Sequence, residues 1–146
     1  MREVMKKLYT QVIKTHNEKP FHFTRIENAS YIVKAYNPIC GDRFEIFMDI
    51  DSQEINEIYF HGFGCAISKA STSILAQSLD GKTLEEAIVI CNNFLNFIDR
   101  KLESDEFLLQ EEFLAFSGVH DFPERYDCAT LSWKEVKSCI ESIESK

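Results

Sequence analysis

Three of the five cysteines in this chain, together with one aspartate, have the residue types and positions to do chemistry. Cys65 stands between Tyr-Phe-His-Gly-Phe-Gly (59–64) and Ala-Ile-Ser-Lys-Ala-Ser (66–71). That stretch reads as a strand end, a glycine-hinged loop and a helix start. A thiol at a helix N-terminus faces free backbone N–H groups and the positive end of the helix dipole. Both favour the thiolate, which is the form that attacks sulfur or binds a metal. Gly62 and Gly64 let the backbone bend and keep side chains away from a ligand. Cys40 and Asp42 lie in Asn-Pro-Ile-Cys-Gly-Asp (37–42), a turn between two strands, and Cys128 falls in the first turns of the last helix.

All three thiols are near the ends of elements, where side chains can converge on one point. Cys40, Asp42, Cys65 and Cys128 offer three sulfurs and one oxygen. Zinc accepts both ligand types in tetrahedral geometry, and iron–sulfur clusters also take thiolates. Side chains alternate in an extended segment, so Cys40 and Asp42 can point to the same side. Cys-x-Asp is not a standard zinc-finger spacing, so the chemistry alone leaves the metal open. Three thiolates and a carboxylate outweigh the charge of a dication. Arg125, one helical turn before Cys128, can offset that surplus or be a solvated helix-surface residue.

The other reactive types read more plainly. Cys91 and Cys139 fall well inside helices, as small core residues. His16 and His22 lie in an irregular segment and are expected to be solvated, whereas His61 and His120 could approach the site. A cysteine hydrolase with Cys65 as nucleophile and His61 or His120 as base would leave Cys40, Asp42 and Cys128 without a role. A purely structural zinc site is the other alternative.

The elements that must position these residues follow from hydrophobic spacing. Val4, Leu8, Val12 and Ile13 predict an amphipathic helix from Met1 to about Thr15, with Pro20 in the irregular stretch beyond it. Tyr31–Tyr36, the alternating Phe44, Ile46, Met48 and Ile50, and Ile55–Phe60 predict three strands. Their short links, including Asp51-Ser52-Gln53, predict an antiparallel meander. Ile67, Ala70, Ile74 and Leu75 begin a helix that ends near Gly81. Thr83 and Glu86 form a capping box for the next helix, whose apolar stripe runs from Ala87 to Leu102. Asp105–Phe116 predicts another helix, Ser117–His120 a loop, and Asp121-Phe122-Pro123-Glu124 a capped start for the last one. The expected fold class is α+β, a small three-stranded antiparallel sheet packed on one face by about five helices.

At 146 residues the chain fits one domain, 1–146, with one sizeable core. It is 45% hydrophobic and 27% charged, which suits a folded protein. No apolar run is long enough to span a bilayer, and Met1–Lys7 lacks the apolar core of a secretory signal. A cytoplasmic location is expected, where thiols stay reduced and cysteines serve as ligands, reactive groups or core residues. Sixteen basic against 24 acidic residues give a net charge of −8, which argues against a nucleic-acid partner. The acidity serves solubility and would suit a positively charged protein surface.

Asn-Pro-Ile-Cys-Gly-Asp (37–42), Gly-Phe-Gly-Cys-Ala-Ile-Ser-Lys-Ala-Ser (62–71) and Arg-Tyr-Asp-Cys-Ala-Thr-Leu-Ser-Trp-Lys (125–134) resemble the iron–sulfur cluster assembly family of IscU, the N-terminal part of NifU, and SufU. The resemblance runs from about Tyr9 into the last helix, with three motifs in the right order. The chain looks most like the SufU branch. It lacks the Leu-Pro-Pro-Val-Lys chaperone motif of IscU, has Asp127 where IscU has His, and carries a SufU-like insertion at about Ser104–Phe122. Asp127 also departs from SufU, which usually has Lys there. The resemblance implies a zinc-dependent sulfurtransferase that binds zinc through Cys40, Asp42, Cys65 and Cys128. It further implies Cys40 as acceptor of persulfide sulfur from a PLP-dependent cysteine desulfurase of the SufS kind, Arg125 as a catalytic candidate, and downstream Suf components as later partners. The alternative it carries is a scaffold that builds an iron–sulfur cluster on the same residues.

Overall fold

The computed structural model describes residues 2–99, 113, 115, 116, 119 and 123–145. Helix α1 spans Arg2–Glu18; strands β1 (Tyr31–Asn37), β2 (Asp42–Asp51) and β3 (Glu54–Phe63) follow; then come α2 (Ala66–Leu79), α3 (Leu84–Ile98) and α4 (Tyr126–Glu144). The strands form one antiparallel sheet in the order β1-β2-β3. This is the expected α+β meander. Four α-helices lie among the described residues against about five expected, and the helix predicted at 105–116 falls largely outside them.

Alternation decides the two faces of the sheet. Val33, Ala35, Phe44, Ile46, Met48, Ile58 and Phe60 are buried beneath the helices, while the intervening residues face outward. The β2–β3 turn places Ser52 and Gln53 at φ 53° and 66°. Two consecutive left-handed residues match the right-handed twist of a two-residue hairpin. β3 continues to Phe63, three residues past the expected end, because Glu45↔His61 and Arg43↔Phe63 extend the ladder with β2. His61 and Phe63 therefore belong to the sheet rather than to a loop.

The free edge of β3 does not stay open. The amide of Phe60 donates to the carbonyl of His22 at 3.1 Å, and Phe23 pairs with Phe60. The connector after α1 thus covers the strand, which removes an edge that would otherwise template pairing with another chain. The two histidines expected to be solvated, His16 in the last turn of α1 and His22 in the connector, are not. His16 is buried with Nδ1 2.7 Å from the Ser73 hydroxyl, and His22 stacks between Phe21 and Tyr59 at centroid distances of 3.9 and 4.5 Å.

Helix α2 carries buried serines and a threonine where an apolar stripe would be usual, and α4 satisfies them. Ser71 donates to the carbonyl of Ala129 at 2.5 Å and accepts from the Trp133 indole N–H at 2.9 Å; Thr72 and Ser132 hydroxyls are 2.8 Å apart. Small side chains let the two helices approach closely, and paired hydroxyls leave no orphaned polar group. Trp133 also stacks on Phe94 of α3 at 4.2 Å. The capping box of α3 forms as expected, with Glu86 N–H on Thr83 Oγ1 and Thr83 N–H on Glu86 Oε1, each at 3.0 Å. α4, by contrast, has no side-chain cap. It emerges from a 3-10 turn, Pro123–Arg125, with Arg125 in the N-cap position, so the start expected around Asp121–Glu124 comes later.

Trp133→Ala removes a fully buried ring and the partner of Ser71. It is expected to lower stability by about 3–5 kcal/mol in urea-induced unfolding, the largest loss of any single helix-face truncation.

Candidate metal and sulfur centre

The β1–β2 hairpin brings the first two donors together. Asn37 Oδ1 accepts from the amide of Ile39 at 3.1 Å, and the Gly41 amide donates to the Asn37 carbonyl at 2.8 Å. These bonds close a four-residue loop with Cys40 exposed on it and Asp42 directed inward as the first residue of β2. Asp42 is 0% exposed. Its Oδ1 accepts from the backbone amide of Cys65 at 3.0 Å. Its Oδ2 is buried with no hydrogen-bond partner among the described residues. A buried carboxylate oxygen left without a donor is costly, and a cation is the remedy that the surrounding donors suggest.

Cys128, the third residue of α4, lies against this carboxylate. Donor atoms of Cys40, Asp42 and Cys128 all lie within 4.8 Å of one another, and the Cys128 and Cys40 sulfurs are 3.6 Å apart. Burial pushes the Cys128 thiol well up, and the hydrogen bond to Cys40 together with the negative charges of Cys65 and Asp42 push it further. Without a cation the Cys128 thiol holds its proton more firmly than a free cysteine does. A divalent metal reverses that balance by its own charge. Two sulfurs and one carboxylate oxygen are ligands that zinc accepts.

Cys65 occupies the N-cap of α2, as expected, but its sulfur is engaged there. It accepts from the Ser68 amide at 3.4 Å and lies 3.6 Å from the Ser68 hydroxyl, which itself donates to the Cys65 carbonyl at 3.1 Å. Its sulfur lies outside the tight three-donor group, yet it reaches Cys128, whose thiol it raises by its charge and by a side-chain hydrogen bond. An amide donated to a thiolate is compatible with a metal on the same sulfur, because sulfur offers more than one lone pair. Ser68 was not singled out in the sequence, and its signal was the Cys-x-x-Ser spacing that joins an N-cap to the third helical residue.

Gly64 makes the junction possible. A Cβ there would stand 2.6 Å from both Asp42 Oδ1 and the Ser68 hydroxyl and 2.9 Å from the Phe44 ring. Gly62, at φ +144°, would drive a Cβ into the Arg43 carbonyl. The glycines thus admit β2 and α2 to each other rather than merely loosening a loop.

The remaining candidates are placed elsewhere. Arg125 is exposed at the N-cap of α4, three residues before Cys128. Asp127 is exposed in the first turn of that helix. His61 sits on the outer face of the sheet, its ring 4.8 Å from Phe23, and His120 lies outside the described residues. The thiol–imidazole pair that a hydrolase needs is not assembled by His61, whose ring stacks on Phe23 while the Cys65 sulfur faces Ser68. Cys139 is half-buried against the core. Cys91 is buried in it, and burial raises its thiol to about 12.

The fold and this cluster agree with what comparison finds. The chain belongs to the NifU-like N-terminal domain family, whose model matches residues 8–146. It is 37% identical to the zinc-dependent sulfurtransferase SufU of Bacillus subtilis over 133 residues, covering 91% of this chain and 89% of that protein. It is 34% identical to the iron–sulfur cluster assembly scaffold protein IscU of Streptococcus pyogenes over 91% of this chain and 82% of that one. A solved SUF-system protein from Fervidobacterium islandicum, assigned provisionally as a cluster assembly scaffold, superposes with a TM-score of 0.80 at 30% identity, covering 90% of this chain and 95% of that one.

Two outcomes follow from the geometry. Gly64→Ala is expected to fold but to displace Asp42 and Ser68, weakening zinc binding by about tenfold or more in a chelator competition. For the metal-free protein, an unfolded cysteine titrates near 8.5, whereas Cys91 in the fold titrates at about 12. The folded state then keeps a proton that the unfolded chain loses, so this contribution is intact below about pH 8.5 and is lost as pH rises toward 12. Denaturant midpoints measured from pH 8 to 10 should fall, and less steeply in Cys91→Ala.

Proposed function

We propose that the protein accepts sulfane sulfur for iron–sulfur cluster assembly, with zinc held by Cys40, Asp42 and Cys128 and with Cys65 completing the set. The observation that carries this reading is the orphaned, buried Asp42 Oδ2, on a carboxylate with an oxygen within 4.8 Å of the Cys40 and Cys128 sulfurs, which are themselves 3.6 Å apart. The relatives named as a zinc-dependent sulfurtransferase and as assembly scaffolds support it. Zinc, when bound, supplies a charge that keeps thiolates deprotonated and does no redox chemistry.

The protein's own residues then divide the work. Cys128 is held by α4, and Asp42 by the Cys65 amide; both are buried and fixed. Cys40 is exposed on its hairpin loop, so it is the sulfur that a donor can reach. Its thiolate attacks the outer sulfur of a cysteine persulfide on the donor. One S–S bond forms to Cys40 as the donor's own S–S bond breaks, and the donor cysteine leaves as a thiolate. The donor on this reading is a PLP-dependent cysteine desulfurase, and the compartment is the reducing cytoplasm, where free thiols persist. Among the described residues no helix is long and apolar enough to cross a membrane. On this reading Arg125, exposed three residues before Cys128, meets the negative charge of an arriving persulfide.

The scaffold reading shares these ligands and is favoured by the relatives named IscU. Metal content separates the two. Protein purified without added metal should carry about one zinc per chain and little iron, and Asp42→Ala should lose most of it. Wild type should stimulate its cognate desulfurase, and Cys40→Ala should abolish that stimulation. Iron with matching acid-labile sulfide would favour the scaffold, and stimulation indifferent to Cys40→Ala would overturn the acceptor role.

A further inference from the structure

The outer face of the sheet carries a second feature of the molecule, next to the sulfurs but not part of them. The cross-strand rows place Tyr36, Arg43 and Phe63 side by side, and then Lys34, Glu45 and His61. The first row is the last that spans all three strands: the Asn37–Asp42 pair then closes the ladder below the Cys40 loop, and Phe63 leads into Gly64 and Cys65. Between the rows lies an open groove of about 590 Å³.

Its chemistry is unlike the rest of the surface. Five large hydrophobic residues are exposed among the described ones; Tyr36 at 51% and Phe63 at 64% line the groove, Ile32 at 49% lies farther along the same face of β1, and Ile39 at 90% is in the adjoining Cys40 loop. Singly exposed apolar residues need no account, whereas a cluster on one face marks an interaction site. The charge is also reversed. Glu45 is the acidic side chain lining the groove, and Arg25 pairs with it at 2.6 Å. Lys34 and Arg43 have no carboxylate partner among the described residues. The Arg43 guanidinium instead lies 4.7 Å above the Tyr36 ring, which holds it flat and leaves its donors turned to solvent. A net charge of −8 suggests a basic partner surface, but this face runs against the average.

We infer that this groove docks an acidic segment, bearing an apolar side chain, of the protein that delivers sulfur to Cys40. The inference rests on the sulfur-acceptor reading and adds to it where the donor binds. Lys34 and Arg43 recognise the segment's carboxylates. Phe63 and Tyr36 receive its apolar side chain and exclude water around the contact. Attachment one sheet row away from Cys40 sets the approach direction of the donor's persulfide, and the paired charges speed the encounter.

The test measures binding of the cognate cysteine desulfurase to the zinc-loaded protein by titration calorimetry at low and high salt. The wild type is compared with Lys34→Glu/Arg43→Glu, Phe63→Ala and Cys40→Ala. The first two substitutions fall on exposed side chains, and unchanged zinc content and melting temperature verify the fold. The expected result is a loss of affinity of about tenfold or more in the charge-reversed protein, with its salt dependence flattened. Phe63→Ala should weaken binding at both salt concentrations, and Cys40→Ala should bind as wild type while accepting no sulfur. Binding and sulfur transfer indifferent to Lys34→Glu/Arg43→Glu would overturn the docking site and leave the acceptor reading standing. No binding by the wild type would overturn both. Self-association of the free chain that Lys34→Glu/Arg43→Glu abolishes would assign the groove to a second copy and overturn the inference.

Discussion

The hydrogen bond from the Cys65 amide to Asp42 Oδ1 joins the end of β2 to the first turn of α2. Its acceptor is fully buried, so the bond draws strength from the low dielectric around Asp42 and from the charge of the carboxylate. One carboxylate does two things at once. Its first oxygen fixes the helix start, and its second is left buried and without a hydrogen-bond partner among the described residues. Were the side chain longer or neutral, the tie and the free oxygen would not be available together. Gly64 is required for the same reason, since the bond exists only if the backbone before Cys65 can press against the carboxylate.

The second constraint is the polar seam between α2 and α4. Ser71, Thr72, Ser132 and Trp133 exchange hydrogen bonds in the core. Such bonds are directional and reject a sliding register that an all-leucine interface would tolerate. Cys65 begins one helix and Cys128 the other, so the seam sets how far apart the two sulfurs can be. Stability and site geometry are therefore fixed by the same residues.

Much of this was legible beforehand because it is local. Alternation in Phe44–Ile50 named the half-buried strand, the Thr83–Glu86 pair named a helix start, and Cys65 was recognisable as a cap from the glycines before it. The convergence of Cys40, Asp42 and Cys128 was legible from their places at element ends and from the resemblance of three motifs. What escaped depended on partners far along the chain. His16 reads as polar and exposed until Ser73, 57 residues later, is packed against it. β3 reads as finished at Phe60, because Gly62 weakens a strand pattern, yet the ladder with β2 carries it to Phe63. The Cys65 sulfur reads as a free ligand until Ser68 is seen to engage it. Helix α4 begins later than its Asp-x-Pro signal because a 3-10 turn comes first.

The two ends of the sheet are not held alike. At the end away from the sulfurs, the turn between α2 and α3 is laced to the β2–β3 hairpin by three backbone hydrogen bonds, Gly81 to Ile55, Ile55 to Lys82 and Leu84 to Gln53, the last two forming the Glu54–Thr83 bridge. At the sulfur end, Asp42 ties the sheet to the start of α2 by one hydrogen bond to the Cys65 amide. The molecule is thus a clamp with a welded hinge and a lighter latch. Amide exchange should be slowest at the welded end, and loosening at the latch can spread through the Cys40 hairpin without unseating the core.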